Sequence, residues 1–258
     1  MGWLHDLSTG WLAVVVFAAT YLVTAAIFVV VMALAKGRRA EAFKAVSSGL
    51  LPPMGLLFGL LVGFLAAQVW SNADRARLAV DREASAFRSV DLLMQAFPGE
   101  PEARMRVLLR RQIEESVAVE WPAMSRGDAT LTVIPVALDG ALRFALTLTP
   151  RTEGQTTAQR EIVASVQTAF DARRQRIILS ESSVNWVMWT GVILVGVLTL
   201  LAIAFVQSGN RLAAAIALGL FASAMACSLV LIASQNRPFS GQFRIGPDVL
   251  QEVTPGNG

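Results

Sequence analysis

Four stretches of the chain carry no charged residue: residues 11–35, 46–70, 184–206 and 212–234. Each reaches or exceeds the roughly 20 residues that an α-helix rising about 1.5 Å per residue needs to cross a hydrocarbon core of about 30 Å. None alternates apolar and polar positions as a barrel strand does. In lipid every backbone N–H and C=O must be satisfied within its own segment, so the pattern predicts four transmembrane helices. Their spacing divides the chain into a first membrane hairpin (1–70), an extramembrane region (71–183), a second membrane hairpin (184–234) and a tail (235–258).

Aromatic residues sit where the bilayer surface should be. Trp3 and Trp11 precede the first span, Trp70 closes the second, and Trp186 and Trp189 open the third, the depth at which amphipathic rings anchor a helix. Ala33, Leu34 and Ala35 form a small-x-small triplet of the signal-peptidase type. The apolar run containing it is far longer than the about 7–15 residues of a leader and no Lys or Arg precedes it, so an uncleaved anchor is expected.

The region between the hairpins follows other periods. Ala76, Val80, Ala84, Phe87, Val90, Met94 and Phe97 recur at three and four, an amphipathic helix that leaves directly from Trp70 and stops at Pro98-Gly99. A second helix opens with Glu100, Pro101 and Glu102 and carries Met105, Leu109, Ile113, Val117, Trp121 and Met124 on one face. Pro122 imposes a kink or an early end, and Arg110 with Glu114 and Arg111 with Glu115 stand at i,i+4 on the polar side. Residues 130–137 and 142–149 are β-rich runs joined around Asp139-Gly140, a turn dipeptide, so a small β-hairpin is expected near 130–149, with Pro135 at an edge. A third helix from about Thr156 turns Ile162, Val166, Phe170 and Ile177 inward and brings Arg173, Arg174 and Arg176 just ahead of the third span. The expected fold class is an all-α membrane protein: four transmembrane helices in two hairpins, with a helical insert and one small β-hairpin between helices two and three.

Composition narrows what such a chain does. The 258 residues are 54% hydrophobic and 16% charged, with a mean hydropathy of +0.54, where a soluble domain carries about 25% charged residues. The isoelectric point near 9.7 points to an anionic partner only until the charges are placed. Residues 71–183 hold 15 Arg against 15 Asp and Glu, so the net charge of +3 comes entirely from the rest of the chain. No concentrated basic face results, and nucleic acid is not expected as a partner. A single histidine, His5, and a single cysteine, Cys227, leave no zinc ligand set, no intramolecular disulfide and no His-based catalysis. Ser and Thr have no His partner and no glycine loop suits a phosphate, so neither an enzyme, a cofactor nor a metal is expected.

The most informative pattern lies on the second span. Gly55, Gly59, Gly63 and Ala67 recur every four residues, leaving one helix face almost bare backbone. Small residues at this spacing allow the close approach by which helices associate in lipid. Two readings stay open: packing against a helix of the same chain, or an oligomer in which this helix lines a central axis. In the second, Leu56, Leu60 and Phe64 beside the glycines are candidates for a hydrophobic constriction. Pro52 and Pro53 would bend or break the start of the helix. At its exit Gln68, Ser71, Asn72, Asp74, Arg75 and Arg77 are candidates for a pore mouth that favours anions. The bland alternative pairs Arg75 with Asp74 or lipid phosphate, and Arg77 with Asp81.

Several of these residues carry a resemblance. Gly63-Phe64-Leu65-Ala66, Trp70, Ala73-Asp74-Arg75 and Glu83-Ala84 resemble, in order, the second span and following helix of the bacterial bestrophin-like domain proteins, a family of unassigned function. Glu120-Trp121-Pro122-Ala123-Met124 with Gly127, then Arg173 and Arg176, and in the tail Arg237-Pro238-Phe239-Ser240-Gly241 with Pro247, resemble the same family. The match covers nearly the whole chain. It implies four transmembrane helices, a helical insert between the second and third and, by remote analogy with true bestrophins, pentameric anion channels with a hydrophobic neck on the second helix. The chain departs from the animal channels in lacking their aromatic-rich neck and their acidic calcium clasp, with Asp248 and Glu252 alone in the tail.

Two functional classes emerge: an oligomeric channel for small anions in a bacterial inner membrane, or a non-conducting membrane scaffold or sensor whose insert binds a protein. Sidedness is contested within the sequence. Lys36, Arg38, Arg39 and Lys44 argue for a cytoplasmic first loop, yet nine basic residues lie near the membrane on the side of the insert against five, including Arg211, on the other. The analogy with bestrophins puts the insert and both termini in the cytosol.

Overall fold

The second apolar stretch does not end at the membrane boundary. In the computed structural model it forms the first half of one uninterrupted helix of 44 residues, α2 (Leu51–Met94), preceded by a single 3₁₀ turn at Ser48–Leu50. The structure describes residues 9–35, 43, 48–241 and 244–255. Trp3, His5, Lys36, Arg38, Arg39 and Lys44 lie outside the described residues. The remaining helices are α1 (Thr9–Leu34), α3 (Glu100–Glu115), α4 (Trp121–Arg126), α5 (Val136–Thr147), α6 (Glu153–Glu181), α7 (Trp186–Val206), α8 (Arg211–Ser234) and α9 (Asp248–Glu252), with no strand among the described residues. The chain divides into two compact units, Met1–Ser71 with Ser183–Asn236 and Asn72–Ser182 with Arg237–Gly258.

In the first unit four helices are long and apolar enough to cross a membrane: α1, the apolar part of α2, α7 and α8. α1 packs mainly along α8, and α7 packs on both. Their core joins Ile27 and Val31 to Phe58, Leu65 and Val69, and to Leu200, Leu218, Ala222 and Met225. The closest approach is at Gly196 of α7, where an added Cβ would lie 2.6 Å from Met225 and 3.3 Å from Phe58. The few buried polar groups are satisfied inside their own helices: Thr24 Oγ1 donates to the Thr20 carbonyl at 2.7 Å and Thr199 Oγ1 to that of Val195 at 2.8 Å. Asn185 and Asn210 cap α7 and α8, their side-chain oxygens accepting from Val187 N and from Leu212 N and Ala213 N. Trp11, Trp70 and Trp186 are exposed.

The second unit is a helical bundle built on the predicted amphipathic stripes. Val80, Phe87, Val90 and Met94 of α2 meet Met105, Leu109 and Ile113 of α3, Leu138 and Ala141 of α5, and Ile162 and Val166 of α6. Phe239 and Leu250 of the tail close the same core.

The expected β-hairpin at 130–149 is absent; α5 occupies most of that stretch. Pro135 stands at the N-cap in an extended conformation and so starts a helix where an edge strand was expected. Ala137, Leu138, Ala141 and Ala145 then form a buried helical stripe, while Asp139 favours the first turn and pairs with Arg143 at 2.7 Å. Gly140, which costs a helix about 1 kcal/mol relative to Ala, lets Leu108 come within 3.4 Å of where its Cβ would stand. Close packing overrides the turn preference of Asp-Gly. The i,i+4 pairs expected on α3 are likewise not among the ion pairs of the described residues, and Arg110 Nη2 donates instead to the Pro255 carbonyl at 2.7 Å.

Pro122 takes effect one turn early. Having no N–H of its own, it leaves the preceding turn to close with a wider spacing, and residues Ser116–Glu120 form a π-turn in which Trp121 N donates to the Ser116 carbonyl. α4 then ends at Gly127, whose φ of 77° only glycine adopts without strain.

Candidate functional site

Helices turn about 100° per residue, so α2 presents two opposite faces. Phe58, Leu65, Ala66 and Val69 are buried in the membrane unit. On the other side Gly59, Gly63 and Ala67 are exposed, and a Cβ added at Gly55, Gly59 or Gly63 would meet nothing within 4 Å. Beside them Leu56 is 64% exposed, Leu60 48% and Phe64 66%. The glycine face therefore has no partner within the chain among the described residues; the close same-chain approach is made by Gly196 instead. Pro52 and Pro53 fall in the first turn of α2, where a missing N–H removes no helical bond, so they begin the helix and neither bend nor break it.

At the polar end of this face Gln68, Asp74, Arg75 and Arg77 are exposed, and Ser71 and Asn72 half-buried. Among the described residues neither Arg75 nor Arg77 makes an ion pair, so the expected partnerships with Asp74 and Asp81 are not formed.

The chemically richest cluster is one that periodicity alone did not single out. Glu83 and Arg176 are both fully buried in the second unit. Arg176 Nε donates to Glu83 Oε2 at 2.7 Å and its Nη2 to Glu83 Oε1 at 3.1 Å, a bidentate pair. The same Nη2 donates to Glu120 Oε2 at 2.8 Å, while Glu120 Oε1 accepts from Arg173 Nε at 2.7 Å. Two carboxylates and two guanidinium groups thus form a closed, neutral cluster. Arg176 also stacks over the Trp121 ring, 4.3 Å from its centroid. Burial raises the Glu83 carboxyl, which lies beyond the apolar part of α2, above the ordinary carboxylate range, and the charge and hydrogen bonds of Arg176 pull it back.

The tail fastens onto this cluster. Trp121 Nε1 donates to the Ile245 carbonyl at 3.1 Å, Phe239 meets the Trp121 ring edge-on with centroids 6.0 Å apart, and Ile245 N donates to the Pro238 carbonyl at 2.9 Å. Arg237 reaches the C-terminal glycine of α4, Nη1 lying 3.6 Å from where a Gly127 Cβ would stand. Gly241 has a φ of 82°. Short motifs scattered from Glu83 to Gly241 therefore meet in one place. Arg173 and Arg176 are engaged inside it, so they are not free positive charges beside the membrane. A signal for the cluster was present: Glu83 interrupts the apolar stripe between Val80 and Phe87, and Arg173 and Arg176 continue the stripe of Ile162, Val166 and Ala169, positions where a charge is buried only if paired.

Residues 18–250 match the family model described as the bestrophin-like domain. No curated protein sequence matches the chain. Among solved structures, a crystal structure of a bacterial bestrophin homologue from Klebsiella pneumoniae, in a single-substitution variant, is similar with a TM-score of 0.71 at 10% identity, covering 94% of this chain and 97% of that one. Another crystal structure of that homologue has a TM-score of 0.70 at 11% identity, covering 93% and 95%. At such identities the likeness is one of fold.

Proposed function

The chain belongs to the bestrophin-like family, and from that premise we propose that it is an oligomeric ion channel for small anions, with α2 lining the axis. The observation that carries this is the uncovered face of α2: bare glycines with nothing within 4 Å, beside exposed Leu56, Leu60 and Phe64. In lipid, small-residue faces serve helix contacts, and a chain with too few spans to enclose a pore builds one by closed rotational symmetry. The number of copies is five by analogy with bestrophins. Leu56, Leu60 and Phe64 then form a constriction that gates by dewetting. Gln68, Asn72, Arg75 and Arg77 form its mouth, where the two unpaired arginines favour anions. The purified chain in mild detergent should sediment as a single oligomer and, in a planar bilayer, pass current whose reversal potential follows the anion gradient. A strict monomer, or an oligomer silent over a range of voltages and anions, overturns the channel and leaves the scaffold whose insert binds a protein.

In this reading the protein sits in the bacterial inner membrane as two hairpins, with the second unit and both termini in the cytoplasm. Reporter fusions at residues 1, 130 and 258 should therefore all report the cytoplasm. A fusion at 130 that differs from both ends would contradict the span count, and three external reporters would reverse the orientation.

A further inference from the structure

Beyond its apolar part, α2 continues to expose charge, and against α6 it forms a cleft of about 350 Å³. Its walls carry Asp81, Arg82, Ser85 and Ser89 from α2 and Ser165 and Thr168 from α6, with Leu78 and Ala86 as the apolar part of the lining. Among the described residues Arg82 has no acidic partner, and the hydroxyls of Ser85, Ser89 and Ser165 have no hydrogen-bond partner. Helical serines ordinarily turn their hydroxyl back to a carbonyl of the preceding turn, as Thr168 does to Ala164 at 2.9 Å. Three unsatisfied donors therefore stand around one unpaired guanidinium.

We propose that this cleft binds a small inorganic anion, held by Arg82 as the charged donor and by Ser85, Ser89 and Ser165 as hydroxyl donors. A guanidinium presents a planar fork of N–H donors and keeps its charge at any working pH, and hydroxyls rotate to donate toward it. Asp81 lines the same cleft and opposes an anion, but the surrounding field does not. Between Asn72 and Ser89 α2 exposes Arg75, Arg77, Arg82 and Arg88 against Asp74 and Asp81, because Glu83 is buried. The volume exceeds that of a bare halide, so the anion keeps part of its water, as expected of a site that must release it. The site does not require that the protein conduct.

Chloride NMR of the full chain in nonionic micelles tests it, because a bound halide exchanging with solvent broadens the free resonance. The wild-type protein should broaden the line, and Arg82→Gln or the combined change Ser85→Ala, Ser89→Ala and Ser165→Ala should abolish the excess. Arg75→Gln, outside the cleft, should leave it intact. All these positions lie on the bundle surface, and an unchanged melting transition confirms that each variant is folded. No broadening by wild-type protein, unchanged broadening in Arg82→Gln, or equal loss in Arg75→Gln overturns the site. Chloride bound here by a protein that passes no current removes the channel and keeps the site, whereas current with Arg82-independent broadening does the reverse.

Discussion

Replacing Arg176 by Met is expected to destabilise the second unit by about 3–5 kcal/mol, the loss that accompanies removal of one partner from a buried ion pair. Methionine fills the stem of the side chain but leaves Glu83 with no partner and Glu120 with Arg173 alone. It also removes the cation over Trp121. The loss is mainly the cost of a stranded carboxylate, so Glu83→Leu added to Arg176→Met should recover much of it. Arg143→Met, which breaks the exposed pair with Asp139, should leave the transition where it was. Denaturant unfolding in detergent, followed by circular dichroism, checks all three. If Arg176→Met costs no more than Arg143→Met, the cluster does not hold the unit together.

Gly59→Leu should abolish assembly, and Leu60→Ala should leave it intact. Nothing in a single chain lies within 4 Å of a Cβ at Gly59, so a leucine there fits the monomer and its melting transition should not fall. Any effect must come from a second copy, because helices in lipid associate through close backbone approach. The two variants separate assembly from conduction. Leu60→Ala shortens one of the three candidate constriction side chains, and a hydrophobic gate opens when it wets, so single-channel conductance should rise. Normal assembly of Gly59→Leu in light scattering would end the reading of α2 as an axial helix.

The spans were legible because lipid imposes a single rule, backbone satisfied within a helix and no charge for about 20 residues, and all four stretches obey it. The apolar stripes of α2 and α6 were legible for the same reason of period. Two things were not. At residues 130–149 local turn chemistry and a helical stripe made competing claims, and the stripe prevailed because Leu108 needed the space beside Gly140. The ionic cluster joins Glu83 to Arg176 across the bundle, and no local period reports which acid meets which base. Its members were visible only as charges in apolar register or as fragments of a family pattern. On α2 the glycine spacing was legible, but the surface that faces it is a property of more than one chain.

The apolar stripe of the second helix steps by four from Met105 to Trp121, and each such step overshoots a turn by about 40°. In an unbroken α-helix Trp121 would point about 160° away from Met105. The wider turn at Ser116–Glu120 absorbs much of that drift, which is how Trp121 comes to lie over Arg176. This turn therefore holds one residue more than the α-helical turn it replaces. Deleting Ala118, which is exposed, would convert it to an ordinary turn while keeping the heading of α4. Elsewhere in these helices the loss of one residue would swing every later side chain by about 100°. The π-turn is thus the point where this bundle could gain or lose a residue in descent without losing its core.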